Sequence, residues 1–175
     1  MKAGPRYRVH FRRRREGRTD YRVRLKLLKS GRTRAVVRIS ERRVRVALVQ
    51  YDPTGDRVVA AADSSELGGI AFPTTSLAST PAAYLTAYLA GLRAKASGTE
   101  EAVLDLGIRH PTVGGRLSAA LKGLLDSGLD IPHGDEGFPP AERLNGTHLP
   151  KALPQPLESY KQKLPGLVHR AEAAA

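Results

Sequence analysis

The sequence predicts an α/β fold: a mixed β-sheet laid down in the order βββαβα, with helices packed on it, a basic N-terminal arm and a Pro-rich C-terminal extension. Three observations carry this reading. Period-two runs follow one another between residues 34 and 63, leucines recur at helical spacing in two later segments, and an uninterrupted apolar run lies between those segments. The 175 residues accordingly divide into a basic arm with a short helix (1–31), a globular α/β domain (32–130) and the extension (131–175).

Residues 1–18 are expected to be extended, because Gly4-Pro5 and dense arginine discourage self-packing. A helix is predicted over 19–30. Thr19-Asp20 supplies its N-cap, Tyr21, Leu25 and Leu28 its inward face at i, i+4 and i+7, and Gly31 its stop after Lys29-Ser30.

The runs RAVVRIS and RVRVALVQY, joined around "SER", read as two strands, with Val44, Val46 and Leu48 on one face and Arg45, Ala47 and Val49 on the other. Asp52-Pro53-Thr54-Gly55 is a turn, and RVVAAAD (57–63) completes an antiparallel meander.

Thr80-Pro81 starts the next helix, with Leu85, Leu89, Leu92 and Ala96 as its buried stripe and Gly98 at its end. AVLDLGI (102–108) is apolar enough to predict a central, buried strand. A helix from about Gly115 to Ser127 follows, with Leu117, Leu121, Leu124 and Leu125 inward and Gly128 beyond it. Seven of the twelve prolines fall between Pro132 and Pro165, so the extension is expected to order poorly by itself, with one helix from Pro156-Leu157 to Leu164.

Charge narrows the function. The net charge is +12, and residues 1–45 carry 18 Lys/Arg against Glu16, Asp20 and Glu41. The remaining chain is close to neutral. A cationic front on a neutral globule points to a polyanionic partner, nucleic acid before a membrane surface. Arginine outnumbers lysine 21 to 8, which suits bidentate phosphate contacts and stacking on bases.

Zero cysteines exclude disulfides, Cys-ligated zinc and a Cys nucleophile. The N-terminus lacks the apolar core of a signal peptide, and the uncharged stretch 67–92 is broken by Pro, Gly, Ser and Thr. A cytoplasmic protein without a membrane partner is therefore expected.

The candidate RNA-binding residues begin with Lys2, Arg6, Tyr7, Arg8, Phe11, Arg12, Arg13, Arg14, Arg15 and Arg18 in the arm. They continue with Tyr21, Arg22, Arg24 and Lys29 in the helix. Aromatics interleaved with arginines suit base stacking beside phosphate neutralisation. HPTVGGRLSAALKG (110–123) sets a Gly-rich turn and Arg116 at a helix N-terminus, where N–H groups favour anions, although it lacks the Lys-Ser/Thr of a P-loop.

Two other readings fit the residues. Asp63 and Asp105 could hold Mg²⁺ for RNA cleavage, or the basic front could bind any polyanion. DIPHGDEGFPP gathers Asp130, His133, Asp135 and Glu136 but matches no metal template, and no cofactor or catalytic triad is indicated.

RRRREGRTDYRVRLKLLKSG resembles the opening signature of the archaeal and eukaryotic branch of large-subunit ribosomal protein family eighteen. The resemblance continues through AVVRISERRVRVALV, AADSSEL, TPAAYLTAYLAGLRA, EEAVLDLGIRHPT and LDSGLDIPHGDE, in order, over roughly residues 4 to 140. It implies a compact α/β domain whose arm and sheet grip 5S rRNA and dock it onto large-subunit rRNA in the central protuberance, near the other 5S-binding ribosomal protein.

Carried over by position, Arg12–Arg15, Arg18, Thr19, Asp20, Tyr21 and Arg24 match the family's N-terminal motif, and Lys29, Arg32, Arg34, Arg38 and Arg42 its basic hairpin region. Thr19 and Asp20 are expected to cap and orient. The chain has Thr33 where the family often has Pro, Glu41 where it often has Asn, and Ala87 for a frequent Gly. An acid at position 41 removes that turn tip from the expected contacts.

Overall fold

The computed structural model describes residue 4 and residues 6–134, 137–149 and 153–168. Helix α1 (Arg12–Arg15) corrects the expectation of an extended arm. Glu16 pairs with Arg12 at 2.8 Å and Arg18 at 3.2 Å, drawing the like charges into one helical turn. Gly17 (φ +63°) lets the chain leave that turn, with the Arg18 N–H donating to the Arg13 carbonyl at 2.8 Å.

Helix α2 (Tyr21–Lys29) begins where the cap predicts. The Asp20 carboxylate accepts from the Arg22 N–H at 2.8 Å and the Val23 N–H at 3.2 Å. Gly31, at φ +66°, stands just beyond the Ser30 C-cap. The inward face differs from expectation: Tyr21, Arg24, Leu27 and Leu28 are half-buried, while Leu25 is 54% exposed. Arg24 on this side donates to Asp56 at 3.0 Å.

Strands β1 (Arg34–Ile39), β2 (Val44–Gln50) and β3 (Arg57–Asp63) form the predicted antiparallel meander, and β4 (Val103–Asp105) pairs parallel to β1. The order is β3-β2-β1-β4, so β4 is an edge strand rather than the central one its apolar run suggested. Its outer side is covered at one end by the chain around Asp130, where the Ala102 N–H donates to the Asp130 carbonyl at 2.9 Å. A register shift between Leu48 and Val49 buries Val49 as well, against the simple alternation expected of β2.

Helices α3 (Thr80–Ala96) and α4 (Arg116–Asp126) pack on the sheet face carrying Ala35, Val37, Ile39, Val44, Val46 and Leu48. The α3 N-cap is Ser79 rather than Thr80, with Pro81 still in the first turn. Most of α3 is buried, so its leucine stripe is only part of its contact surface, and Ala96 at its end is exposed. Its approach to α4 is close: a Cβ at Gly123 would strike the Tyr84 carbonyl oxygen, and one at Gly91 the Ser127 hydroxyl.

The described residues of the extension are more ordered than its composition suggests. Helices α5 (Ala141–Leu144) and α6 (Leu157–Lys163) send Leu144, Leu157 and Tyr160 into the main core, joined by Leu164 and Leu167 just beyond α6. A buried cation adds to this apolar anchoring. Arg93 on α3 donates to the Ala61 carbonyl, the Glu66 carboxylate and the Leu167 carbonyl at 2.6, 2.6 and 2.9 Å, tying sheet, helix and tail together.

Candidate nucleic-acid interface

The C-terminal ends of β1 and β4 meet the start of α2 at one end of the sheet. Between them lies a cleft of about 620 Å³, lined by Arg13, Arg18, Tyr21, Arg24, Arg38 and Arg109 among others. Smaller depressions continue from it, one bounded by Arg43 and Arg45 and another by Arg109, His110 and Arg116, with Ile39 common to all three. A continuous concave, arginine-rimmed surface runs from the arm to the N-terminus of α4.

Local contacts hold the rim in place. Arg13 Nε donates to the Thr19 hydroxyl at 2.9 Å, so Thr19 orients an arginine while Asp20 caps the helix. The two backbone N–H bonds to Asp20, Val23 first, hold its carboxyl below the usual range. Arg38 Nη2 donates to Asp105 Oδ1 at 2.9 Å and its Nη1 to the Asp105 carbonyl at 2.8 Å, with the Arg38 side chain still 49% exposed.

Arg34 is a correction to the predicted contact set. Its side chain is 3% exposed and lies between Asp56 Oδ2 at 2.6 Å and Asp105 Oδ2 at 3.3 Å. Burial raises the Asp56 carboxyl, but hydrogen bonds from Arg34 and Arg24 outweigh it and leave the carboxyl below its ordinary range. Arg34 is thus held inside the fold by two carboxylates instead of being presented at the rim.

The other predicted residues are distributed as follows. Arg6, Arg8, Tyr7 and Phe11 are exposed before α1, with the Phe11 ring 5.4 Å from that of Tyr21. Arg12, Arg14, Arg15, Arg22 and Lys29 are exposed on α1 and α2. Arg32 pairs with Glu101 at 3.5 Å, and Arg42 stands exposed in the β1–β2 turn, whose tip also carries Glu41. Arg116 Nη1 reaches the Ala78 carbonyl at 3.1 Å. Lys2 lies outside the described residues.

Sequence reasoning missed Arg43, Arg45 and Arg109. Arg43 and Arg45 belong to the basic hairpin quoted above, and their own spacing was the available signal. Arg109 sits in a loop after β4, and nothing local marks it.

Asp63 and Asp105 occupy opposite edge strands, three strand spacings or roughly 14 Å apart, so they cannot share a metal ion. Each is engaged otherwise. Asp63 pairs with Arg45 at 2.7 Å and caps the 3-10 turn that follows it, while Asp105 holds Arg34 and Arg38. Among the described residues no three acidic or histidine side chains gather as metal ligands, and Asp135 and Glu136 lie outside those residues.

The family model described as "Ribosomal large subunit proteins 60S L5, and 50S L18" matches residues 5–99. The chain is 49% identical over 164 residues to the large ribosomal subunit protein uL18 of Haloarcula marismortui, covering 91% of this chain and 86% of that protein. The chain belongs to the uL18 family. A second uL18, from Methanococcoides burtonii, is 46% identical over 169 residues, 94% of this chain and 97% of its own length.

Membership in the uL18 family makes this a structural, RNA-binding ribosomal protein of translation, and its relatives are not enzymes. The nuclease reading of Asp63 and Asp105 is thereby overturned. The uL18 match begins in the arm and ends after α3, so it spans both the α1–α2 side of the cleft and the β1–β2 hairpin.

Proposed function

We propose that this protein binds 5S rRNA and helps attach it to large-subunit rRNA in the central protuberance of the cytoplasmic ribosome, beside the other 5S-binding ribosomal protein. The observation that carries this reading is the rim. Arginines from α1, α2, β1, β2 and the β4–α4 loop border one concave surface although they are distant in sequence.

A nonspecific polyanion tail has no need of such convergence, whereas recognition of a folded RNA by shape does. Within this reading, Arg12–Arg15 and Arg18 neutralise phosphates, Tyr7 and Phe11 offer stacking faces, and Arg38 and Arg116 meet RNA across the sheet end. Binding completes the order of the arm.

Competition filter binding of the full chain against 5S rRNA, bulk tRNA and heparin at moderate salt tests the proposal. A preference for 5S rRNA is expected. Equal affinity for all three ligands identifies a nonspecific polyanion binder instead.

A further inference from the structure

The main cleft has features that phosphate neutralisation does not use. Its rim is cationic, but the half-buried ring of Tyr21 and the side chains of Leu27, Leu106 and Ile108 also line it, and Ile108 is 53% exposed. Asp20 lines the same space, and only one of its carboxylate oxygens is used to cap α2, so a phosphate entering there would meet a negative charge.

Apolar walls with a carboxylate acceptor beside them suit a different part of RNA. A nucleobase has flat faces to stack and amino groups to donate, and its flanking phosphates remain at the rim. The volume of about 620 Å³ lies within the ~300–1,000 Å³ typical of sites that enclose a small molecule. Tyr21 and Ile108 also line the adjoining depression of about 370 Å³, so the two side chains stand at the junction of both spaces.

We infer that the cleft takes one unstacked nucleobase of the bound RNA, with Tyr21 and Ile108 as its walls and Arg18, Arg38 and Arg109 on the flanking phosphates. This rests on the 5S-rRNA reading above and adds to it a base-holding site. The base comes from a loop or bulge, because a paired base offers no free faces.

The test uses the full chain and a panel of 5S rRNAs in which each loop nucleotide in turn is replaced by an abasic residue. Dissociation constants are measured at one salt concentration for the unmodified protein, Ile108→Ala and Tyr21→Leu. One abasic position is expected to weaken binding about tenfold, the scale of one lost base–aromatic stack.

Both variants should weaken binding of intact RNA yet add almost nothing to the loss at that position, the non-additivity expected of groups in contact. Ile108 is surface-exposed, so its variant reads the site without disturbing the core. Additive losses at every position, or no loss with Ile108→Ala, overturn the assignment. If intact 5S rRNA binds no better than tRNA, the earlier reading falls and this one with it. If that preference holds without coupling, only the base site falls.

Discussion

Replacing Asp105 with asparagine changes one oxygen into an amide nitrogen and removes a charge from a site where the residue is 6% exposed. Asp105 Oδ1 accepts from Arg38 at 2.9 Å and from the Gly107 N–H at 2.9 Å, and its Oδ2 from Arg34 at 3.3 Å. The asparagine oxygen can keep the first two contacts, but its NH₂ then faces the Arg34 guanidinium, donor against donor.

Removing one partner of a buried ion pair costs about 3–5 kcal/mol when the other charge is left alone. Arg34 is not left alone, because Asp56 stays at 2.6 Å. The loss is nearer that of one hydrogen bond to a charged group plus weakened attraction, about 2–3 kcal/mol. For a domain of this size that corresponds to a drop in Tm of roughly 4–12 °C.

Thermal unfolding followed by circular dichroism measures it. Arg38→Gln serves as the contrast, since that side chain is half-exposed: a stability loss of about 1 kcal/mol is expected, together with the larger loss of RNA affinity. A change under about 0.5 kcal/mol for Asp105→Asn, the scatter of ordinary surface substitutions, would refute the role given to the buried network. So would a larger stability loss for Arg38→Gln.

Three further outcomes follow from the same contacts. Gly123→Ala should destabilise by about 2–3 kcal/mol, the upper part of the overpacking range, because the obstacle is the Tyr84 carbonyl rather than a movable side chain; denaturant titration checks it. Arg93→Met should loosen the tail selectively, giving faster amide exchange over 157–167 than in β1 and β2, read by exchange mass spectrometry. On acidification, stability should be retained above the unfolded carboxyl value of ~3.9 and lost as pH falls through the lower folded values of Asp56 and Asp63. Asp56→Asn should flatten that acid limb in pH-dependent urea unfolding.

What was legible in the sequence was local. The Asp20 cap, the Gly31 and Gly128 stops and the alternation in β1 each depend on residues a few positions apart, and all appear in the fold. What was not legible depended on pairing across the chain. Arg34 and Arg38 lie on the same side of β1 by alternation and look equivalent, yet one is buried structure and the other stands on the cleft rim. The difference comes from Asp56, 22 residues away, and Asp105, 71 residues away from Arg34. AVLDLGI reads as a central strand because its composition is apolar, yet only Ala102 and Asp105 of it are fully buried, while Val103 and Leu104 are half-buried as an edge strand allows.

The rotated face of α2 has a consequence for how the cleft is held. None of the helix residues is buried, and Val23 and Leu25 are 43% and 54% exposed. The helix is closed at its start by the Asp20 cap and fastened to the domain by Arg24–Asp56 at 3.0 Å, with 41% and 29% of the two side chains exposed. A pair that open is worth only about 0–1 kcal/mol, and salt weakens it. The wall of the cleft carrying Tyr21 is therefore far less stabilised than the sheet end carrying Arg38, which stands on the buried Asp105 network. If RNA neutralises the arm and fills the cleft as proposed, it supplies the missing stabilisation, and order in α2 and occupancy of the site should rise together.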